Sequence, residues 1–208
     1  MSFQLTDFCR IRPYLYHLTS KRNLQGILDS GAIKCASHLF TLANKEELIS
    51  VKRTRIIPIE VNGRVVDIRD QKPLYEGKAS INDGWNFSDL IRALNERVFF
   101  WPGWGDKPID YGVRHFELYK GSGTIVIRVR TSDLFAANTA SPYFCKYNSG
   151  SPRTTRGKGS PRGKSTFVEC ENAPFVASQV VEVTFLGESR LPSGVQYSES
   201  LNGPWSDR

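Results

Sequence analysis

The chain has 208 residues, 39% of them hydrophobic and 12% aromatic, with 28 lysines and arginines against 21 aspartates and glutamates. That is apolar chain enough for one domain with a sizeable core (1–208), whereas two domains would each be small. No run of about eighteen apolar residues occurs, which argues against a helical membrane span. The opening residues lack a basic-then-apolar leader.

The net charge of +7 points to an anionic partner, nucleic acid first. The four cysteines, Cys9, Cys35, Cys145 and Cys170, are scattered and form no Cys-x-x-Cys pair. With only three histidines, no metal site is expected. Free thiols in a reducing, cytoplasmic setting fit this usage best.

In chain order, residues 1–13 read as a lead-in. Tyr14–Ser20 reads as a strand, with Leu15 and His17 on one face and Tyr14 and Tyr16 on the other. Thr19 or Ser20 caps a helix whose apolar face is Leu24, Ile27 and Leu28, and Gly31 ends it. The pattern sets His17 at a strand end beside a helix N-terminus, a place for a ligand contact or for a satisfied structural histidine. Ile33–Phe40 continues with Ser37 and His38 in a loop, and Asn44–Val51 reads as a short helix. Arg53–Val61 and Arg64–Arg69 form a hairpin around Asn62-Gly63. Residues 74–84 are loop-like. Asn86 or Ser88 caps a helix carrying Leu90, Ile91 and Leu94.

Val98–Trp101 is a short strand stopped by Pro102-Gly103. An aromatic loop over 102–112 follows, and Arg114–Lys120 fits helix or extended chain. Thr124–Arg130 is the clearest strand, and Ser132-Asp133 caps a short turn. Asn148–Ser165 holds Arg153, Arg156, Lys158, Arg162 and Lys164 with four glycines, two prolines and no acid. It reads as a glycine-rich arm for phosphate backbones, or else a solvated loop. Thr166–Val168 and Gln179–Phe185 are strand-like, with Glu182 sharing a face with Val180 and Thr184. The polar tail, 186–208, adds little core. Strands outnumber helices without βαβ alternation, which predicts an α+β fold. No dinucleotide glycine fingerprint, Gly-x-Ser-x-Gly or His-Glu-x-x-His occurs.

Tyr16-His-Leu-Thr-Ser-Lys-Arg-Asn-Leu-Gln-Gly-Ile-Leu-Asp-Ser-Gly31 resembles the opening of DarT-type ADP-ribosyltransferases. More closely, the chain resembles an uncharacterised bacterial family related to them. Its hallmarks are Ile68-Arg-Asp-Gln71, Leu94–Trp101, Asn148-Ser-Gly150, and Arg162-Gly163 followed by Thr166-Phe167. The resemblance spans roughly residues 14–190. It implies a split, mostly antiparallel sheet with a cleft for nicotinamide adenine dinucleotide (NAD). The implied activity is transfer of ADP-ribose to a nucleic-acid base, RNA or DNA, by a toxin held by an antitoxin or used in phage defence.

The resemblance also implies roles for single residues. Glu182 is the catalytic glutamate, with Glu169 as alternative. His17 and Thr19 hold the dinucleotide's ribose or amide. Arg53 is the arginine of the cleft, with Arg55 and Arg69 as rivals, and one ring among Phe99, Phe100 and Trp101 lies against the nicotinamide. The Arg-Ser-x-Met element of the DarT type is absent, and Pro102-Gly-Trp-Gly105 stands in its place. That leaves the acceptor open, including a protein acceptor, and makes the 148–165 arm the candidate acceptor surface. A non-catalytic nucleic-acid-binding module on the same scaffold is the alternative of a different class.

Overall fold

The computed structural model describes residues 3–208. They form six α-helices and fifteen strands, an α+β fold. The helices are α1 (Leu5–Ile11), α2 (Lys21–Ser30), α3 (Ala36–Leu42), α4 (Phe87–Asn95), α5 (Asp110–Tyr119) and α6 (Thr131–Ala137). The strands are β1 (Tyr14–Ser20), β2 (Ala32–Lys34), β3 (Ile57–Val61), β4 (Arg64–Ile68), β5 (Ala79–Ile81), β6 (Arg97–Trp104), β7 (Lys107–Pro108) and β8 (Thr124–Arg130), followed by β9 (Tyr143–Cys145), β10 (Thr154–Thr155), β11 (Lys158–Arg162), β12 (Glu182–Leu186), β13 (Glu188–Arg190), β14 (Gln196–Ser198) and β15 (Ser206–Asp207). No helix among the described residues is long and apolar enough to cross a membrane.

The main sheet runs β15-β14-β8-β1-β6-β12-β9, with β7 paired to β6, and every ladder in it is antiparallel. Strand alternation sorts its side chains onto two faces. Leu15, Val98, Phe100, Ile127, Val183 and Phe185 enter one core with Phe8 of α1 and Leu134 of α6. Tyr16, Leu18, Trp101 and Val126 form a second core with Phe116 and Tyr119 of α5. A third surrounds α4, and a fourth lies between α3 and the β3–β4 hairpin.

The sheet is forked at β6. Its first half pairs with β12, from Arg97↔Leu186 to Phe100↔Val183. On its other edge only Trp101↔Tyr16 and Pro102↔Leu15 pair with β1. Beyond Tyr16 the two strands part, while β1 stays paired to β8 along its whole length.

Several local signals act as read. Ser20 caps α2 through the Arg22 N–H, and Gly31 ends it at φ 65°. Asn62 and Gly63 both take positive φ in the hairpin turn. Asn86 caps α4 in a reciprocal capping box with Asp89.

Other expectations are corrected. The lead-in contains α1, whose Phe8 is fully buried. Ser37 and His38 lie in α3, whereas Asn44–Val51 yields only a 3-10 turn at Glu46–Leu48. Residues 53–56 precede the strand β3. Strand β6 runs straight through Pro102-Gly103, because the Pro102 carbonyl still accepts a hydrogen bond, from the Ile109 N–H at 3.0 Å. No Ser132 or Asp133 side chain caps α6. Thr166 ends a 3-10 turn, and Val168 makes a single bridge to Phe144. Val180 precedes β12 and packs with Val183 in the first core, apart from Glu182. The tail supplies β13, β14 and β15 and buries Leu191, Val195 and Leu201. Its apolar residues are spaced too widely to show a period.

The arm at 148–165 is also ordered. Arg156 and Gly157, at φ 51° and 76°, make the two-residue turn of a β10–β11 hairpin. Strand β11 then pairs in parallel with β5.

One glycine sets the contact between α5 and the sheet. A Cβ on Gly112 would stand 2.8 Å from Pro108 Cβ and 3.1 Å from Trp101 Cβ. Gly112→Ala is expected to cost about 1–3 kcal/mol by overpacking. Thermal denaturation should show a midpoint lower by about 5 °C.

Candidate functional site

A cavity of about 620 Å³ opens in the fork and is lined on one side by α2 and the β3–β4 hairpin. Its size is that of small-molecule sites. His17, Thr19, Arg53, Arg69, Phe99, Trp101 and Glu182 all line it. Glu169 and Arg55 do not, and Phe100 is sealed in the core. Arg153, Arg156, Lys158, Arg162 and Lys164 are also absent from the lining.

His17 sits where β1 leaves β6. Its Nδ1 lies 2.9 Å from the Phe99 carbonyl. A carbonyl only accepts, so Nδ1 carries the proton and Nε2 presents a free lone pair. Burial, reinforced by the Arg69 charge, lowers its pKa to about 4 against the pull of the Phe99 bond, so the ring is neutral near pH 7. Thr19 is buried and accepts from Asn23 Nδ2 at 3.3 Å, which leaves its hydroxyl proton available.

Glu182 opens β12 and is 3% exposed. The Ser149 N–H lies 3.2 Å from both carboxylate oxygens. Burial lifts the carboxyl pKa to about 7, although Ser149 and the Arg162 charge both work against the rise. A lone carboxyl with its pKa near neutrality, placed in a cavity, has the profile of a proton acceptor.

Arg162 does not belong to a nucleic-acid surface. It is 2% exposed, and its donors are used internally. Nε donates to the Ser149 carbonyl at 3.1 Å and Nη2 to the Asn148 carbonyl at 2.8 Å. Nη1 donates to the Pro161 carbonyl at 2.8 Å. The arginine thus holds the 148–149 loop, and the loop's N–H holds Glu182. Arg153, Arg156, Lys158 and Lys164 remain exposed.

The arginines of the cavity divide their work. Arg53 is 7% exposed and committed to protein acceptors: Nε to the Arg69 carbonyl and Nη1 to Asn95 Oδ1, both at 2.8 Å. Burial lowers its pKa to about 10. Arg69 lies 4.4 Å over the Tyr119 ring, and its Nη1 is buried with no acceptor. Arg53 therefore positions the backbone of Arg69, whereas Arg69 has a donor to offer a ligand.

The lining also holds His115 and Tyr119 on α5, which no sequence motif marked, and Asp70 of the Ile68-Arg-Asp-Gln71 motif. The Tyr119 hydroxyl donates to Asp70 Oδ1. The His115 ring packs 4.7 Å from Trp101 and 5.0 Å from Tyr119. Helical spacing of His115 and Tyr119 was the available signal, but residues 114–120 also fit extended chain. A family model matches residues 13–193, which is most of the chain and contains every cavity residue named above. The chain belongs to DUF7002, a family of unknown function. No curated protein and no solved structure matches it. Within this DUF7002 chain the site must therefore be read from its own chemistry.

Proposed function

We propose that the chain is an NAD-dependent ADP-ribosyltransferase acting on nucleic acid. The observation that carries this reading is Glu182: a buried carboxylate at the fork of the sheet, gripped through Ser149, with its pKa near 7. Breaking the nicotinamide–ribose bond sends the bonding electrons to nicotinamide and leaves oxocarbenium character on the ribose, which a carboxylate stabilises. The acceptor nitrogen then bonds to the ribose carbon and loses its proton, and Glu182 is the group placed to take it. The bare Nε2 of His17 accepts from a ribose hydroxyl or the amide, and the Thr19 hydroxyl assists. Arg69 supplies the positive charge for the phosphates.

The exposed Arg153, Arg156, Lys158 and Lys164 surround the hairpin that Arg162 ties to the Glu182 loop. That link favours nucleic acid as acceptor, held by its phosphates. The same hairpin also favours the second reading, a nucleic-acid-binding module without catalysis, because none of its four exposed cations reaches the cavity. An antitoxin partner rests on the resemblance to DarT-type enzymes.

Incubation with labelled NAD and separate RNA, DNA and protein pools decides between them. Label is expected on nucleic acid. Replacing the four exposed cations with alanine should weaken transfer and flatten its salt dependence. Salt-dependent nucleic-acid binding with no consumption of NAD would establish the second reading instead.

A further inference from the structure

The cavity lining also holds a cluster with two unsatisfied donors. Arg69 Nη1 and Trp101 Nε1 are both buried donors without acceptors. A buried donor left unpaired costs about 1–3 kcal/mol, which a ligand acceptor would recover. Between these groups stands His115, packed on Trp101 and Tyr119. The Asp70 charge offsets part of that of Arg69, but its oxygens are taken by the Tyr119 hydroxyl, the Lys72 N–H at 3.2 Å and the Lys72 ammonium at 3.3 Å, so it leaves the free donors of Arg69 and Trp101 unpaired.

We propose that Arg69, Trp101 and His115 form a subsite for a phosphate group, and that His115 takes up a proton from solvent when the phosphate binds. This places the phosphate contact of the NAD reading at α5 and β6. A phosphate fits better than a carboxylate, because donors from three separate elements suit tetrahedrally arranged oxygens better than two coplanar ones.

The proton follows from the charges facing His115. Those are Arg69 after β4, Asp70 beside it, and His17 on β1; Tyr119 on its own helix is a neutral phenol held by Asp70. Burial and the Arg69 charge keep the empty site's imidazole neutral, with a pKa of about 3. An anion on Arg69 reverses the sign of that field, so His115 becomes a third donor and the second charged one.

Sulfate is the probe, since its charge does not change between about pH 5.5 and pH 8 and any proton taken up belongs to the protein. Titration calorimetry in two buffers of different ionisation enthalpy should show proton uptake with sulfate binding near about pH 6. Affinity should fall as pH rises, approaching about tenfold per pH unit. Arg69→Gln should weaken binding at least about tenfold, and His115→Gln should abolish the uptake. In the wild-type protein, NMR titration should show the His115 signal, rather than that of His17, shifting its midpoint from about 3 up to about pH 6 with sulfate. No sulfate binding, binding that survives Arg69→Gln, uptake unchanged in His115→Gln, or an unmoved His115 midpoint would each overturn the proposal. None of these measurements involves NAD turnover, so failure here and failure of the transferase reading are separable.

Discussion

Glu182→Gln should make the protein more stable and inactive at once. The folded carboxyl pKa of about 7 lies above its ordinary value of 4.5. The sign follows from linkage: this favourable contribution to folding is complete below about pH 4.5 and is lost as pH rises through about 7. At about pH 8 the buried carboxylate therefore costs on the order of 3 kcal/mol. Glutamine removes the charge and can still accept from the Ser149 N–H, but its amide group gains no partner, which offsets part of the benefit. We expect a thermal midpoint higher than wild type by about 5 °C near pH 8, with the difference vanishing near about pH 4.5. Transfer from NAD should fall by about 10²–10⁴-fold. Scanning calorimetry across pH tests the first part, and labelled NAD tests the second. A Gln variant no more stable than wild type at alkaline pH would show that Glu182 is not desolvated as its burial indicates. A stabilised but fully active variant would remove Glu182 from the chemistry.

Arg162→Ala should be the most damaging change outside the apolar cores. It strips the donors from the carbonyls of Asn148, Ser149 and Pro161. Unpaired buried acceptors cost about 1–3 kcal/mol each, so a total on the order of 3–5 kcal/mol is expected. The midpoint should drop by about 10 °C. Arg162→Lys separates positioning from stability, because it keeps the charge and loses the planar fork that spans two carbonyls. We expect this variant to fold and to lose about 10–100-fold in kcat, with the KM for NAD close to wild type. In Arg162→Ala the acidic limb of the pH–rate profile should move upward, since Arg162 opposes the rise in the Glu182 pKa. An unmoved limb would confine Arg162 to a structural role.

The readable elements were those with a complete local signal. The strand–cap–helix–glycine run of 14–31, the Asn62-Gly63 hairpin, the Asn86 cap and the β-branched strand 124–130 all have their causes within a few residues. The errors fell where the deciding partner lies far away in the chain. Strand β6 crosses a proline because Ile109 and β1 hold it there. The 148–165 segment has the composition of an open arm, and pairing with β5 and the hold of Arg162 on the 148–149 carbonyls order it. The tail looked peripheral because Leu191, Val195 and Leu201 have no common period.

The sequence by itself determined the α+β class, the type of each strongly patterned element, and a short set of polar residues able to do chemistry. Only the tertiary structure decided which of those residues meet. It brought His17, Arg69, Trp101 and Glu182 to one fork and left Glu169 and Arg55 outside it. It turned Arg162 inward while Arg153, Arg156, Lys158 and Lys164 stayed exposed, and it added His115. The physical reason is that side-chain type and local period are properties of neighbouring residues. Burial, and with it the pKa of Glu182 and the free donor of Arg69, depends on contacts between strands and helices far apart in the chain.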